Sequence, residues 1–229
     1  MIVNADDFGY SKGVNDGIIK SHRHGIVTST SIIVNGLAAS EAKKLLQYPE
    51  LSIGLHFNIT DEGLKSDIIK RVVLPFRKAK EIEQEFEVQI KRFIEIIGKP
   101  PDHLDSHHHV HLQSQVVRHI FKKYSQKNKI PVRGFGNINF IDSFFGRDIF
   151  RRTSFKKISV DSLLKILSSL KNGLNELMCH PGLVDADLLK ISSYAKERKV
   201  ELETLTNKKV INCITETKIK LCNWKFARP

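Results

Sequence analysis

Short runs rich in β-branched and apolar residues alternate with helix-spaced patterns along the chain, and no stretch rich in Ser, Gly or Pro interrupts them. Strand-like runs lie at residues 1–4, 28–34, 52–57, 103–106, 131–134 and 175–179, with a weaker seventh at 209–214. The clearest helix pattern spans 81–97, where Ile82, Phe86, Ile90, Phe93, Ile94 and Ile97 recur at helical spacing and Glu87 stands four residues before Lys91. Val116, Val117, Ile120, Phe121 and Tyr124 repeat the pattern, as do Leu163, Leu164, Leu167 and Leu170. A β-α-β-α order predicts a parallel sheet covered by helices. The 229 residues therefore read as one α/β domain, residues 1–229. The expected architecture is a (β/α) barrel-like fold of about seven mostly parallel strands, a distorted or incomplete TIM-type barrel.

The polar residues fall at the ends of these runs. Asp6 and Asp7 follow the first, Asn35 the second, His56 and Asn58 the third, Asp105 to His111 the fourth, Arg133 lies at the fifth, and His180 follows the sixth. Active sites of parallel α/β folds are built at the carboxyl ends of strands, where the loops converge. Singly, each residue has a plain structural reading: Asp6 or Asp7 as a cap, His56 as a satisfied core histidine, Arg133 in a surface ion pair. Their joint placement points to one pocket.

The densest of these segments runs from His103 to His111 and holds five of the chain's ten histidines and one aspartate. If it starts as an extended strand, His103, Asp105, His107, His109 and His111 share one face. Imidazoles and a carboxylate so spaced can converge on one divalent ion. Adjacent Asp6 and Asp7 invite a division of labour, one bound to a cation and one free to take a proton, and Gly9 and Gly13 allow tight turns beside them. One carboxylate with two histidines leaves coordination positions open for water and substrate, and suits zinc or iron; with several waters it suits magnesium or manganese.

Composition narrows the classes. Hydrophobic residues at 41% and charged residues at 27% are globular, and no apolar run approaches the ~20 residues of a membrane span. The segment Met1 to Asp7 lacks the basic and long apolar regions of a signal peptide, so a cytoplasmic protein is expected. Cys179, Cys213 and Cys222 have no Cys-x-x-Cys spacing, against a disulfide framework or zinc knuckle. The net charge of +12 is spread over small groups such as Lys122-Lys123 and Arg151-Arg152. Without a recognition motif or an aromatic-basic repeat it reads as a solvated surface, with no nucleic-acid partner.

Five motifs in order, Asn4-Ala-Asp-Asp-Phe-Gly9, Gly25-Ile-Val-Thr-Ser-Thr30 with Asn35-Gly36, Gly54-Leu-His-Phe57, His103 to His111, and Met178-Cys-His-Pro-Gly182, resemble the YdjC-like carbohydrate deacetylases from residue 1 to about 222. The resemblance implies a barrel-like, often dimeric enzyme that removes the acetyl group from N-acetylglucosamine units of a small oligosaccharide with one divalent metal, Mg2+ or Zn2+. By motif, Asp7, His56 and His107 are implied as metal ligands and Asp6 as general base. His180 is the implied general acid, with His109 or His111 as competitors. Asp105 is expected to orient a histidine through its second ring nitrogen, Arg133 to contact substrate or orient Asp6, and Asn35 to lie near substrate. The stretch from Ile59 to Lys80 is shorter than the loop often found in that family. The apolar and basic segment 137–158 is expected to line a sugar groove or a dimer contact, although Phe140, Phe144, Phe145 and Phe150 suit a core equally. Two rivals stand beside this reading: a metal-dependent phosphoesterase, which usually needs two ions, and a non-catalytic sugar-binding or metal-binding protein.

Overall fold

A computed structural model describes residues 1–59, 78–148 and 150–227. In chain order it contains β1 (Ile2–Phe8), α1 (Lys12–His24), β2 (Ser29–Ile32), a 3₁₀ segment (Ala39–Gln47), β3 (Ser52–Phe57), α2 (Ala79–Ile97) and β4 (Leu104–Ser106). There follow a 3₁₀ turn (His107–His109), α3 (Val110–Gln113), α4 (Gln115–Asn128), β5 (Ile138–Ile141), α5 (Val160–Ser168) and β6 (Leu174–Cys179). The chain ends with α6 (Ala186–Ile191), α7 (Lys196–Leu205), α8 (Lys208–Glu216) and a 3₁₀ segment (Trp224–Ala227). The stretch 60–77, most of the short Ile59 to Lys80 connection, lies outside the described residues.

All pairings in the six-stranded sheet are parallel, in the order β4-β3-β2-β1-β6-β5. β1, β2, β3 and β4 are buried throughout, as strands covered on both faces must be. Side-chain oxygens cap several helices: Ser11 starts α1, Ser114 starts α4, Ser159 starts α5, and Asp185 and Asn207 start α6 and α8. Gly98, at φ +81°, stops α2 in the left-handed conformation that glycine adopts without strain. Phe86 of α2 and Phe121 of α4 meet Phe57 of β3 with ring centroids 5.2 to 5.8 Å apart, which fixes both helices on that strand. Ile94 sits on the more exposed side of α2, at 37%.

The strand reading needs three corrections. Residues 131–134 supply one parallel bridge, Val132 to Leu104, rather than a strand. Residues 209–214 lie in α8, where Val210 and Ile214 are buried at a spacing of four. The sixth strand is β5, within the segment 137–158. The described sheet thus has six strands, not seven, and curls as an open half-barrel. Arg133, beside Leu104 at one edge, reaches Glu176 of β6 and lies 5.2 Å over the ring of Phe140 in β5, at the other edge. No helix among the described residues is long and apolar enough to cross a membrane.

Candidate active site

A strand sends successive side chains to opposite faces, yet Asp6 and Asp7 both join one buried cluster. The pairing of β1 with β2 slips between Ala5 and Phe8, and Asp7 has φ +72°. This bulge aims both carboxylates at the carboxyl end of the sheet. A non-glycine residue in that conformation costs about 1–3 kcal/mol and persists only where its surroundings hold it. Asp7 is so held: Oδ1 lies 3.2 Å from His56 Nε2 and 3.1 Å from His107 Nδ1, and Oδ2 accepts from Arg198 Nη2 at 2.5 Å.

His56 ends β3 and is aimed from behind. Its Nδ1 lies 2.7 Å from Asp105 Oδ1, leaving Nε2 for Asp7, and Ser31 donates to Asp105 Oδ2 at 2.8 Å. Asp105 therefore lies behind the His56 ring. Arg133 is fully buried among carboxylates. Its Nη1 and Nη2 grip Asp6 at 2.6 and 2.7 Å, Nη2 lies 3.0 Å from Asp105, and Nε donates to Glu176 at 2.7 Å. It bonds both oxygens of Asp6.

These contacts set the charges. Burial would raise Asp6 and Asp7, but the guanidiniums of Arg133 and Arg198 outweigh it and hold both below the usual carboxylate range. Burial would push His56 down, but Asp105 and the bonds to both carboxylates hold it up at about 10. Burial dominates at Glu176, raised to about 7 despite Arg133. With the His56 proton displaced, as metal ligation requires, three buried aspartates, Asp6, Asp7 and Asp105, face two buried guanidiniums, Arg133 and Arg198. The surplus is negative.

That surplus and the donor set fit a divalent cation. Asp7, His56 and His107 offer one ligand atom each, all within 4.8 Å of one another. Ligands about 2.0–2.1 Å from a tetrahedral zinc lie roughly 3.3 Å apart, and adjacent ligands of an octahedral magnesium roughly 2.9 Å apart. The observed 3.1 and 3.2 Å fall between and so do not choose between the two ions. A second donor group, Asp6, His56 and Asp105, is less suitable because Arg133 and Asn4 already occupy its carboxylates.

His180 stands beside Asp6, its Nε2 4.0 Å from Asp6 Oδ2. Its backbone N–H donates to Glu201, its ring meets Phe145 and Tyr194, and its buried Nδ1 has no partner. Burial depresses it to about 4, against the opposing pull of Asp7 and Asp6.

The histidine run does not form the single polar face expected of it. β4 is only three residues long, and His108 and His109 both take left-handed backbone conformations, which scatters the rings. His111 is fully buried, bonded through Nδ1 to Ser106 and through Nε2 to the Arg133 carbonyl, and stacked on Phe121. Both its ring nitrogens are engaged. His109 meets Phe140 by its edge with Nδ1 buried and unpartnered. His103 is fully buried against Trp224 and belongs to the core. Asn35 is exposed, 3.5 Å from the Asn58 carbonyl, and outside the buried cluster. In the segment 137–158, Phe144 is core, Phe145 packs beside His180, and Phe150 is 70% exposed.

The sequence reading gave no site role to Arg198, Tyr194, Glu201, Glu176 or Asn4. Tyr194 donates to Glu201, and Glu201, raised to about 8 by burial, accepts from His180. The one available signal was that Arg198 and Glu201 share the helical face of Leu202 and Leu205, all buried in α7.

The chain is similar to several known proteins. The family described as YdjC-like protein matches residues 1–216. A chitooligosaccharide deacetylase of Proteus mirabilis (strain HI4320) is 35% identical over 247 residues, covering 94% of each chain. A solved protein of Enterococcus faecalis V583 named for cellobiose-phosphate cleavage superposes with a TM-score of 0.82 at 26% identity, over 100% of this chain and 98% of that one. A family 4 carbohydrate esterase from Streptomyces lividans shares the fold at a TM-score of 0.58 and 12% identity, over 97% of this chain and 90% of its own.

Proposed function

Because the chain belongs to the YdjC-like family, we propose that it is a metal-dependent carbohydrate deacetylase that removes the acetyl group from N-acetylglucosamine units of a small oligosaccharide such as diacetylchitobiose. The observation that carries this reading is the convergence of Asp7, His56 and His107 beside an uncoordinated Asp6, with His180 next to Asp6. The name of the Proteus mirabilis relative supports the substrate class. Homodimer assembly and a cytoplasmic location complete the proposal; light scattering should give twice the mass of one chain, and a monomer would remove the first.

Asp7, His56 and His107 would hold one ion, Mg2+ or Zn2+. When bound, it would polarise the acetyl carbonyl and acidify a water. Asp6, kept ionised by Arg133, accepts that water's proton as attack begins. Its low proton affinity makes it a weak base alone, so it depends on an already acidified water. His180, neutral at rest, takes up the proton that Asp6 has accepted and passes it to the sugar nitrogen, which leaves as an amine. Its position between Asp6 and the aromatic pair Phe145 and Tyr194 suits that task.

Chelator-treated protein is expected to release no acetate from diacetylchitobiose and to recover when one of the two metals is restored. Unchanged activity after complete metal removal would refute the metal-dependent reading. His107→Ala is expected to lose both bound metal, read by elemental analysis, and turnover; a full equivalent of metal in that variant would take His107 out of the ligand set. The phosphoesterase alternative is disfavoured because the two donor groups among the described residues share His56 and so suit one ion rather than two. Phosphate release from phosphate esters in a parallel assay, with no acetate, would reverse that preference.

A further inference from the structure

The segment from Lys220 to Ala227 lies beyond the residues matched by the family and packs where the strands begin, away from the metal ligands. Cys222 N donates to the Met1 carbonyl at 2.9 Å, Asn223 to the Glu50 carbonyl at 2.9 Å, and Trp224 N to Ser52 Oγ at 3.1 Å. These bonds drive the Trp224 side chain into the sheet interior. It is fully buried and stacks on His103, with centroids 4.6 Å apart and planes 10° from parallel. Its Nε1 then lies 3.4 Å from Asn4 Oδ1.

Resting on the deacetylase reading, we propose that Trp224 is a positioning residue for Asp6, acting through the Asn4 amide, so that this C-terminal segment is a working part of the catalytic site. Asn4 Nδ2 lies 2.8 Å from Asp6 Oδ1, 3.2 Å from Ser31 Oγ and 3.3 Å from Asp105 Oδ2. Asn4 Oδ1 accepts from Ser29 at 2.5 Å as well as from the indole. A carboxamide has a donor end and an acceptor end, and its orientation is set by its partners. The Ser29 hydroxyl can donate or accept and selects neither. An indole N–H only donates and ionised Asp6 and Asp105 only accept, so the indole and the carboxylates fix the same orientation of the amide from its two ends. Trp224 thereby holds, from behind, the one neutral side-chain donor to Asp6 among the described residues. Catalysis is sensitive to such small displacements of a reacting group.

Trp224→Phe removes the N–H together with one ring of the indole and leaves an aromatic ring to face His103. Its kcat is expected to fall about two- to tenfold, the effect of one lost hydrogen bond, with KM for diacetylchitobiose and bound metal unchanged. Asn4→Ala is expected to fall further, and Asn4→Ala with Trp224→Phe to be no slower than Asn4→Ala alone, because the path is already cut. Parental kcat in Trp224→Phe, or losses that multiply in the double variant, would overturn the proposal. A second readout needs neither turnover nor a Trp224 substitution. Trp224 is the chain's only tryptophan, so the indole N–H gives one NMR resonance, expected to move in both Asp6→Asn and Asn4→Ala. An unmoved resonance overturns the coupling, whereas a parent that releases no acetate with any metal overturns the deacetylase reading instead.

Discussion

Asp6→Asn is expected to cut the rate of acetate release by about 10²–10⁴, the usual cost of a missing general base, and to leave metal content at the parental level. The asparagine keeps the shape of the side chain and one oxygen able to accept from Arg133, so the bulge at the end of β1 can persist. What disappears is the negative charge and the proton acceptor. Metal retention is expected because the donor atoms belong to Asp7, His56 and His107. Steady-state kinetics with elemental analysis separates the outcomes. Near-parental turnover would remove Asp6 as the base, and loss of metal along with turnover would show that it holds the ligands rather than the proton.

Arg133→Met is expected to have the largest effect on stability. Arg133 is fully buried and is the shared counter-charge of Asp6, Asp105 and Glu176. Methionine fills much of the volume but leaves these carboxylates facing one another without the guanidinium. Removing one partner of a buried ion network costs about 3–5 kcal/mol. In a chain of this size about 2–4 °C is lost per kcal/mol, so the melting midpoint should drop by roughly 6–20 °C. Arg133→Lys should fall between, since one ammonium cannot reproduce the fork that grips Asp6 with both terminal nitrogens. Calorimetry gives the answer directly; an unchanged midpoint in Arg133→Met would mean that the carboxylates are satisfied without it.

The helix over Ala79–Ile97 was legible because one apolar face repeats over several turns, and the early parallel strands because their apolar runs are bounded by turns and helices. The strand candidate at 209–214 failed because a short apolar stretch does not declare its period, and Asn207 starts a helix there. β5 escaped notice because its half-buried edge position places weaker demands on sequence. The histidine run was legible as a functional segment but not as a face. Alternation requires a continuing strand, and two left-handed residues at His108 and His109 end it after Ser106.

By itself, the sequence determined the α/β class, the succession of most strands and helices, and the motif residues Asp6, Asp7, His56, His107 and His180, since periodicity and local motifs are properties of neighbours along the chain. Tertiary structure alone decided which of them share atoms. Arg133 meets Asp6 across 127 positions and Arg198 meets Asp7 across 191. Such contacts arise from the curl of the sheet and the packing of α7 against α1. The same packing committed His111 and His103 to support and left His180 beside Asp6, because burial and the partners within reach, rather than residue type, set what a histidine can do.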